Sequence, residues 1–136
     1  MRLFFDANVL FSAAYRPDGT VGQFLAACRD LGWELLSSDY AVIEVERNLS
    51  RKAPQALPQL AAVLSGLRIV PSAAGAAPVP LRDKDRPILA TAIACAADVL
   101  LTGDGRDFGA YFDKPGKTGG VRIMTVSAFI DDRMKP

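Results

Sequence analysis

Four carboxylates in this chain stand beside short apolar runs, where an alternating strand–helix chain would put them to work. Asp6 directly follows Leu3-Phe4-Phe5, and Asp104 comes shortly after Val99-Leu100-Leu101. Asp85 opens the helical stretch that precedes the second of these runs. Glu44 lies in a helical stretch, among Val42, Ile43 and Val45. Each has a plain structural explanation when taken alone. Asp6 can cap the turn after a strand, Glu44 can be a solvated helix charge, Asp85 can be a helix N-cap, and Asp104-Gly105 can be an ordinary turn. Taken together they imply more. Carboxylates converging on one place repel strongly without a counterion. A divalent cation is the usual compensation: it takes oxygen ligands and keeps water or phosphate in its other positions. One or two such ions can activate water and stabilise both the attacking and leaving oxygens of phosphodiester cleavage.

Residue types narrow the chemistry. The chain has no histidine, so a Ser-His-Asp triad, a Cys-His dyad and a His-ligated metal are all excluded. A metal site must be built from carboxylates, which points to Mg²⁺ or Mn²⁺ rather than zinc or copper. Cys28 and Cys95 are far apart, lack CxxC spacing and have apolar neighbours. They read as small core residues of a protein kept in a reducing compartment. Sixteen Lys and Arg against fifteen Asp and Glu leave a net charge of +1, so the molecule as a whole does not steer strongly towards nucleic acid or anionic membrane. A local basic patch is still open. Lys84, Arg86 and Arg106 flank the acids and read equally well as contacts to substrate phosphates or as ordinary surface charges.

The elements that must position these groups follow from hydrophobic periodicity. Apolar runs at Leu3–Phe5, Trp33–Leu36, Leu67–Val70, Val99–Leu101 and Val121–Met124 predict five strands. Between them, helical spacing runs from Val21 to Leu31, from Asp39 to Leu49 after a Ser37-Ser38-Asp39 N-cap, and to Leu64 after Pro54 and Pro58. Another helix starts at Asp83 to Pro87, with an Ala-rich body from Ile88 to Ala97, and Ser127 is expected to cap a short terminal helix. Pro71 to Pro80 reads as a connection too short to separate domains. Strands alternating with helices make an α/β fold with a parallel sheet covered on both faces. Such sheets bind ligands beyond the carboxyl ends of their strands, where strand order reverses. At 136 residues and 14.5 kDa the chain is expected to form one domain spanning 1–136. Its N-terminus does not read as a signal peptide. The apolar stretch from Ile88 to Leu101 contains Asp98 and falls short of the roughly 20 residues of a membrane span. A soluble cytoplasmic protein is expected.

The acidic motifs resemble those of the PIN-domain family, and the closest wording is that of VapC-like toxin ribonucleases from type II toxin–antitoxin pairs. The matching segments are Phe5-Asp6-Ala7-Asn8-Val9-Leu10, Ser38 to Leu49 around Glu44, Asp85-Arg86-Pro87-Ile88-Leu89-Ala90-Thr91-Ala92, and Leu101-Thr102-Gly103-Asp104 followed by Asp107-Phe108. They occur in family order over nearly the whole chain. The resemblance implies a three-layer α/β/α sandwich with a five-stranded parallel sheet in which the first and fourth strands are neighbours. It implies Mg²⁺- or Mn²⁺-dependent hydrolysis of single-stranded RNA. Asp6, Glu44, Asp85 and Asp104 carry over as the catalytic and metal-binding quartet, with Asp107 as a weaker fifth member. Asn8 and Ser12 match polar positions that support the first Asp. The resemblance also implies a homodimer silenced by a cognate antitoxin. Asp83 and Glu46 each lie two residues from a proposed acid, and residues two apart on a helix face different ways. Only one of each pair should therefore point into the site, and the motif register favours Asp85 and Glu44.

Other features carry less. Gly116-Lys117-Thr118 resembles the end of a phosphate-binding loop, but Tyr111 stands where its first glycine belongs and a strand follows, so it reads as an ordinary loop. Tyr111, Phe112 and Trp33 read as core residues. A non-catalytic RNA-binding or scaffold domain is the competing function. A small-molecule phosphatase ranks last, because Asp6-Ala7-Asn8 lacks the second Asp that haloacid-dehalogenase-like phosphatases use.

Overall fold

A computed structural model describes residues 1–133. Five parallel strands, β1 (Arg2–Phe5), β2 (Glu34–Ser38), β3 (Arg68–Val70), β4 (Val99–Leu101) and β5 (Arg122–Met124), form one sheet in the order β3-β2-β1-β4-β5. Seven helices surround it among the described residues: α1 (Ala7–Tyr15), α2 (Thr20–Asp30), α3 (Asp39–Lys52), α4 (Leu57–Ser65), α5 (Arg86–Ala94), α6 (Gly105–Phe108) and α7 (Val126–Arg133). This is the expected α/β sandwich, with β1 and β4 adjacent. Phe4 pairs with Leu36 on one side and Leu100 on the other, and Phe5 pairs with Leu101.

The central strands are apolar on both faces because helices cover both. Leu3, Phe4, Phe5, Leu100 and Leu101 are fully buried, the pattern of a parallel sheet inside an α/β fold. Phe24 of α2 meets Phe5 and Phe129 edge-on, and Trp33 meets Phe129 the same way, so α2, α7 and the sheet share one aromatic cluster. Trp33 is half-buried against this core as expected, but it stands just before β2 rather than in it. At the amino ends of the strands, Arg2 donates to the Cys95 carbonyl at 2.6 and 3.1 Å and to Glu34. It thereby satisfies an orphan carbonyl at the end of α5. Cys28 is buried, Cys95 is half-buried, and both are free thiols.

Several boundaries differ from the sequence reading. Helix α1 follows β1 with only Asp6 between them, and it was not anticipated. Its Ala7, Val9, Leu10, Ala13 and Ala14 are buried, and Asn8, Ser12 and Tyr15 form a narrow exposed stripe at i, i+4 and i+7. Strand β2 runs two residues further than its apolar run, because Ser37 pays no burial penalty: its hydroxyl donates to the Phe5 carbonyl at 2.8 Å. Ser38 then caps α3, accepting from Ala41 N. Helix α5 stops at Ala94 rather than Ala97, and Ala96 takes a left-handed φ of 56° in the turn into β4. The cap of α7 is Thr125, which accepts from Ala128 N at 3.0 Å, and not Ser127. Thr118 is buried with its hydroxyl bonded to the carbonyls of Lys114 and Val121, so the Gly116-Lys117-Thr118 segment is a self-satisfied turn.

Candidate active site

Strand order reverses between β1 and β4, which makes the carboxyl ends of these two strands the expected ligand crevice. Asp6 leaves β1 there as the N-cap of α1. It is 4% exposed, and its Oδ1 accepts from Ala7 N at 2.7 Å. Its Oδ2 accepts from the Thr102 hydroxyl at 2.8 Å and from Asn8 Nδ2 at 3.3 Å. Burial raises the Asp6 carboxyl to about 6, against the lowering effect of the Thr102 and Ala7 bonds; Glu44 and Asp104 add to the rise. Asn8 ties the two strand ends together, since its Oδ1 accepts from Gly103 N at 2.7 Å. Ser12 donates instead to the Asn8 carbonyl one turn back, and no bond from it to Asp6 is present.

Asp104 caps α6, accepting from Asp107 N at 3.0 Å. This one-turn helix was not anticipated, and it is what aims Asp107 back at Asp104. Asp85, in the turn before α5, closes the group: single oxygens of Asp85, Asp104 and Asp107 all lie within 4.8 Å of one another. Asp85 occupies the N-cap position of α5 yet makes no capping bond. Its Oδ2 is buried and has no hydrogen-bond partner among the described residues. The cap explanation for Asp85 therefore fails, and a buried acceptor left unpaired is costly. Burial pushes the Asp85 carboxyl well above the usual carboxylate range and the neighbouring Asp107 adds to the rise, while the same pairing holds Asp107 low.

Burial differs within each of the two acid pairs. Asp83 is 92% exposed and paired with Arg86, whereas Asp85 is buried. Glu46 is exposed, whereas Glu44 is half-buried on the face of α3 that Asp6 and Tyr40 feel electrostatically. Tyr40 was missed by the sequence reading. Its hydroxyl donates to the Lys84 carbonyl at 3.1 Å, and its acidity is weakened by burial, then by Glu44 and Asp85. Glu44, Tyr40, Ile43, Arg47 and Lys84 line a cavity of about 430 Å³.

The three flanking cations differ. Arg86 pairs with Asp83 at the surface and Arg106 is exposed on α6. Lys84 is half exposed and also reaches the acids: its Nζ lies 3.9 Å from Asp85, 3.6 Å from Asp104 and 3.4 Å from Asp107. Desolvation opposes its charge, yet these carboxylates raise its pKa above the usual lysine value.

Residues 2–106 match the family model for the PIN domain. The chain belongs to the PIN-domain family. No curated protein sequence matches it, but solved structures do. The fold of this PIN domain is similar to VapBC2 from Rickettsia felis, solved with a DNA fragment from the promoter, at a TM-score of 0.69 and 17% identity over 92% of this chain and 98% of that one. It is similar to VapBC-1 from nontypeable Haemophilus influenzae at a TM-score of 0.59 and 12% identity, again over 92% and 98%. The protein PAE2754 from Pyrobaculum aerophilum matches at 0.56 and 17% identity over 97% of each chain. At these identities the likeness is one of fold. In this PIN domain an all-oxygen donor set with an unpartnered buried acceptor fits a hard divalent cation.

Proposed function

We propose that this PIN domain is a Mg²⁺- or Mn²⁺-dependent endoribonuclease that hydrolyses phosphodiester bonds of single-stranded RNA. In this reading it is a cytoplasmic toxin whose whole chain, 1–136, works as one nuclease domain, as a homodimer held in check by an antitoxin. The observation that carries the nuclease reading is Asp85 Oδ2, buried and unpartnered beside Asp104 and Asp107. The family match supports it, and the fold likeness to VapBC2 and VapBC-1 supports the toxin–antitoxin setting. No helix among the described residues is long and apolar enough to cross a membrane.

Asp85, Asp104 and Asp107 would hold the cation, with Asp6 and Glu44 completing its acidic surroundings. When bound there, a divalent ion would supply charge neutralisation for the phosphate and a lowered pKa for water. The chain's own residues do the rest. Thr102, Asn8 and the Ala7 amide fix the orientation of Asp6, so its position costs no reorganisation during the reaction. Glu44, across the site on α3, orients the attacking water. With no histidine in the chain, the proton of that water leaves through carboxylate or solvent. Arg86 and Arg106 flank the crevice as phosphate contacts.

The test is cleavage of a mixed single-stranded RNA pool by the purified chain with Mn²⁺, with Mg²⁺ or with EDTA, beside Asp6→Asn and Asp104→Asn. Metal-dependent cleavage, reduced at least about 100-fold in both variants, is expected. Cleavage that survives EDTA or Asp6→Asn overturns the mechanism. RNA binding without turnover at any metal concentration leaves the scaffold role in its place.

A further inference from the structure

The positively charged group nearest the acidic trio belongs to the chain itself. Lys84 precedes Asp85 in the turn opening α5, and that turn is held by Asp85 N bonding the Arg82 carbonyl at 2.9 Å and by Tyr40 bonding the Lys84 carbonyl. The backbone is thereby set so that the Lys84 ammonium lies over Asp85, Asp104 and Asp107, 3.4 to 3.9 Å from one oxygen of each. These are the same three side chains whose oxygens cluster within 4.8 Å. All three contacts are at or beyond the long edge of hydrogen-bond range, so the ammonium acts as a shared point charge rather than a partner committed to one acid. The side chain is about half exposed, at 49%, and it also lines the cavity beside Tyr40, Glu44 and Arg47.

We propose that Lys84 is a built-in counterion that takes the electrostatic place of the divalent cation in the metal-free protein, and that the cation binds by displacing it. The inference rests on the metal-dependent reading above. A Mg²⁺-sized ion sits about 2.1 Å from its oxygen ligands, so an ion on this trio would lie within about 6 Å of an unmoved Lys84 ammonium. That is inside the Debye length at physiological salt, where like charges are poorly screened. The ammonium must move, and the cavity beside Tyr40 and Glu44 is open to receive it. Lys84 thus sets a threshold: it protects the acidic trio when metal is scarce and weakens metal affinity by the strength of its own pairing.

The experiment is calorimetric titration of the full chain with Mn²⁺ alone, on wild type, Lys84→Met, Lys84→Gln and Lys84→Arg, with a thermal melt of each in EDTA. Both neutral variants are expected to bind Mn²⁺ roughly tenfold more tightly than wild type while melting at a lower temperature in EDTA. Lys84→Arg is expected to stay within about threefold of wild type, because it keeps the charge. A merely structural lysine would lower the melting temperature without tightening Mn²⁺. Unchanged or weaker Mn²⁺ affinity in folded Lys84→Met and Lys84→Gln, with wild type binding, overturns this inference alone. Absence of Mn²⁺ binding in every variant overturns the metal-dependent reading and this inference with it. Binding that appears only when Lys84 is neutralised supports both.

Discussion

The hydroxyl of Thr102, just past β4, donates to Asp6 Oδ2, just past β1, at 2.8 Å. The Thr102 hydroxyl oxygen in turn accepts from Asp104 N at 3.1 Å and from Asn8 Nδ2 at 3.3 Å. One buried hydroxyl therefore couples two of the proposed catalytic acids and the turn that carries the second. Thr102→Val keeps the shape and removes all three bonds. It is expected to cost about 1–2 kcal/mol of stability in urea melts, and to weaken Mn²⁺ binding or RNA cleavage about 10- to 100-fold, as loss of a group that orients ligands does. Wild-type turnover in Thr102→Val would show that Asp6 does not need the hydroxyl to hold its position.

Asp85 should separate stability from metal response. Its carboxylate is buried with one oxygen unpartnered, so Asp85→Asn removes a desolvated charge. In EDTA at pH 7.5 the variant is expected to melt at or above the wild-type temperature. Wild type is expected to gain about 2.7 kcal/mol when Mn²⁺ is raised to 100 times its dissociation constant, and Asp85→Asn to gain almost nothing. A full Mn²⁺ response in the variant would remove Asp85 from the ligand set.

Asp6 makes metal-free stability fall as pH rises. Its folded pKa is raised to about 6 from the ordinary 3.8, chiefly by burial. Between those values the folded protein holds a proton that the unfolded chain has lost. Stability from this group is therefore fully present below about pH 4 and is lost as pH climbs through about 6, for a total of about 2–3 kcal/mol. Urea melts in EDTA from pH 4 to 7.5 measure it as the slope difference between wild type and Asp6→Asn, with the variant flatter. Identical slopes would mean that Asp6 titrates normally in the fold.

Glu44 and Glu46 offer a matched pair on one helix. Glu44 is half-buried and faces the site; Glu46 is exposed. Glu44→Gln is expected to lower RNA cleavage at least about tenfold and Glu46→Gln less than about twofold. Both should melt within about 0.5 kcal/mol of wild type, since neither side chain is fully buried. Equal effects from the two would make Glu44 a general surface charge.

Much of the architecture is written locally. Leu3-Phe4-Phe5 and Val99-Leu100-Leu101 read as strands buried on both faces, and the helical runs between them imply parallel crossovers. Zero histidines and two widely separated cysteines already point any metal site to oxygen ligands. Ser38 as the cap of α3 and the stop at Gly66 were also legible, because capping chemistry depends only on neighbours in the chain. Helix α1 left a fainter trace: a narrow stripe of Asn8, Ser12 and Tyr15 at i, i+4 and i+7, with Asp6 in N-cap position.

What tertiary structure alone decided is which acids meet and what they meet. The motif register already favours Asp85 and Glu44; packing across the sheet adds that Asp85 is buried and Glu44 half-buried while Asp83 and Glu46 are exposed. Asp107 joins Asp85 and Asp104 because a one-turn helix, capped by Asp104 itself, points it back. Lys84 beside three carboxylates and Thr102 against Asp6 are contacts between strand and helix ends brought together where strand order reverses. The sequence by itself determined the alternation of elements and the types of group available, through periodicity and composition. The distances between groups far apart in the chain, and hence the charge each one feels, came into being only when the sheet closed β1 against β4.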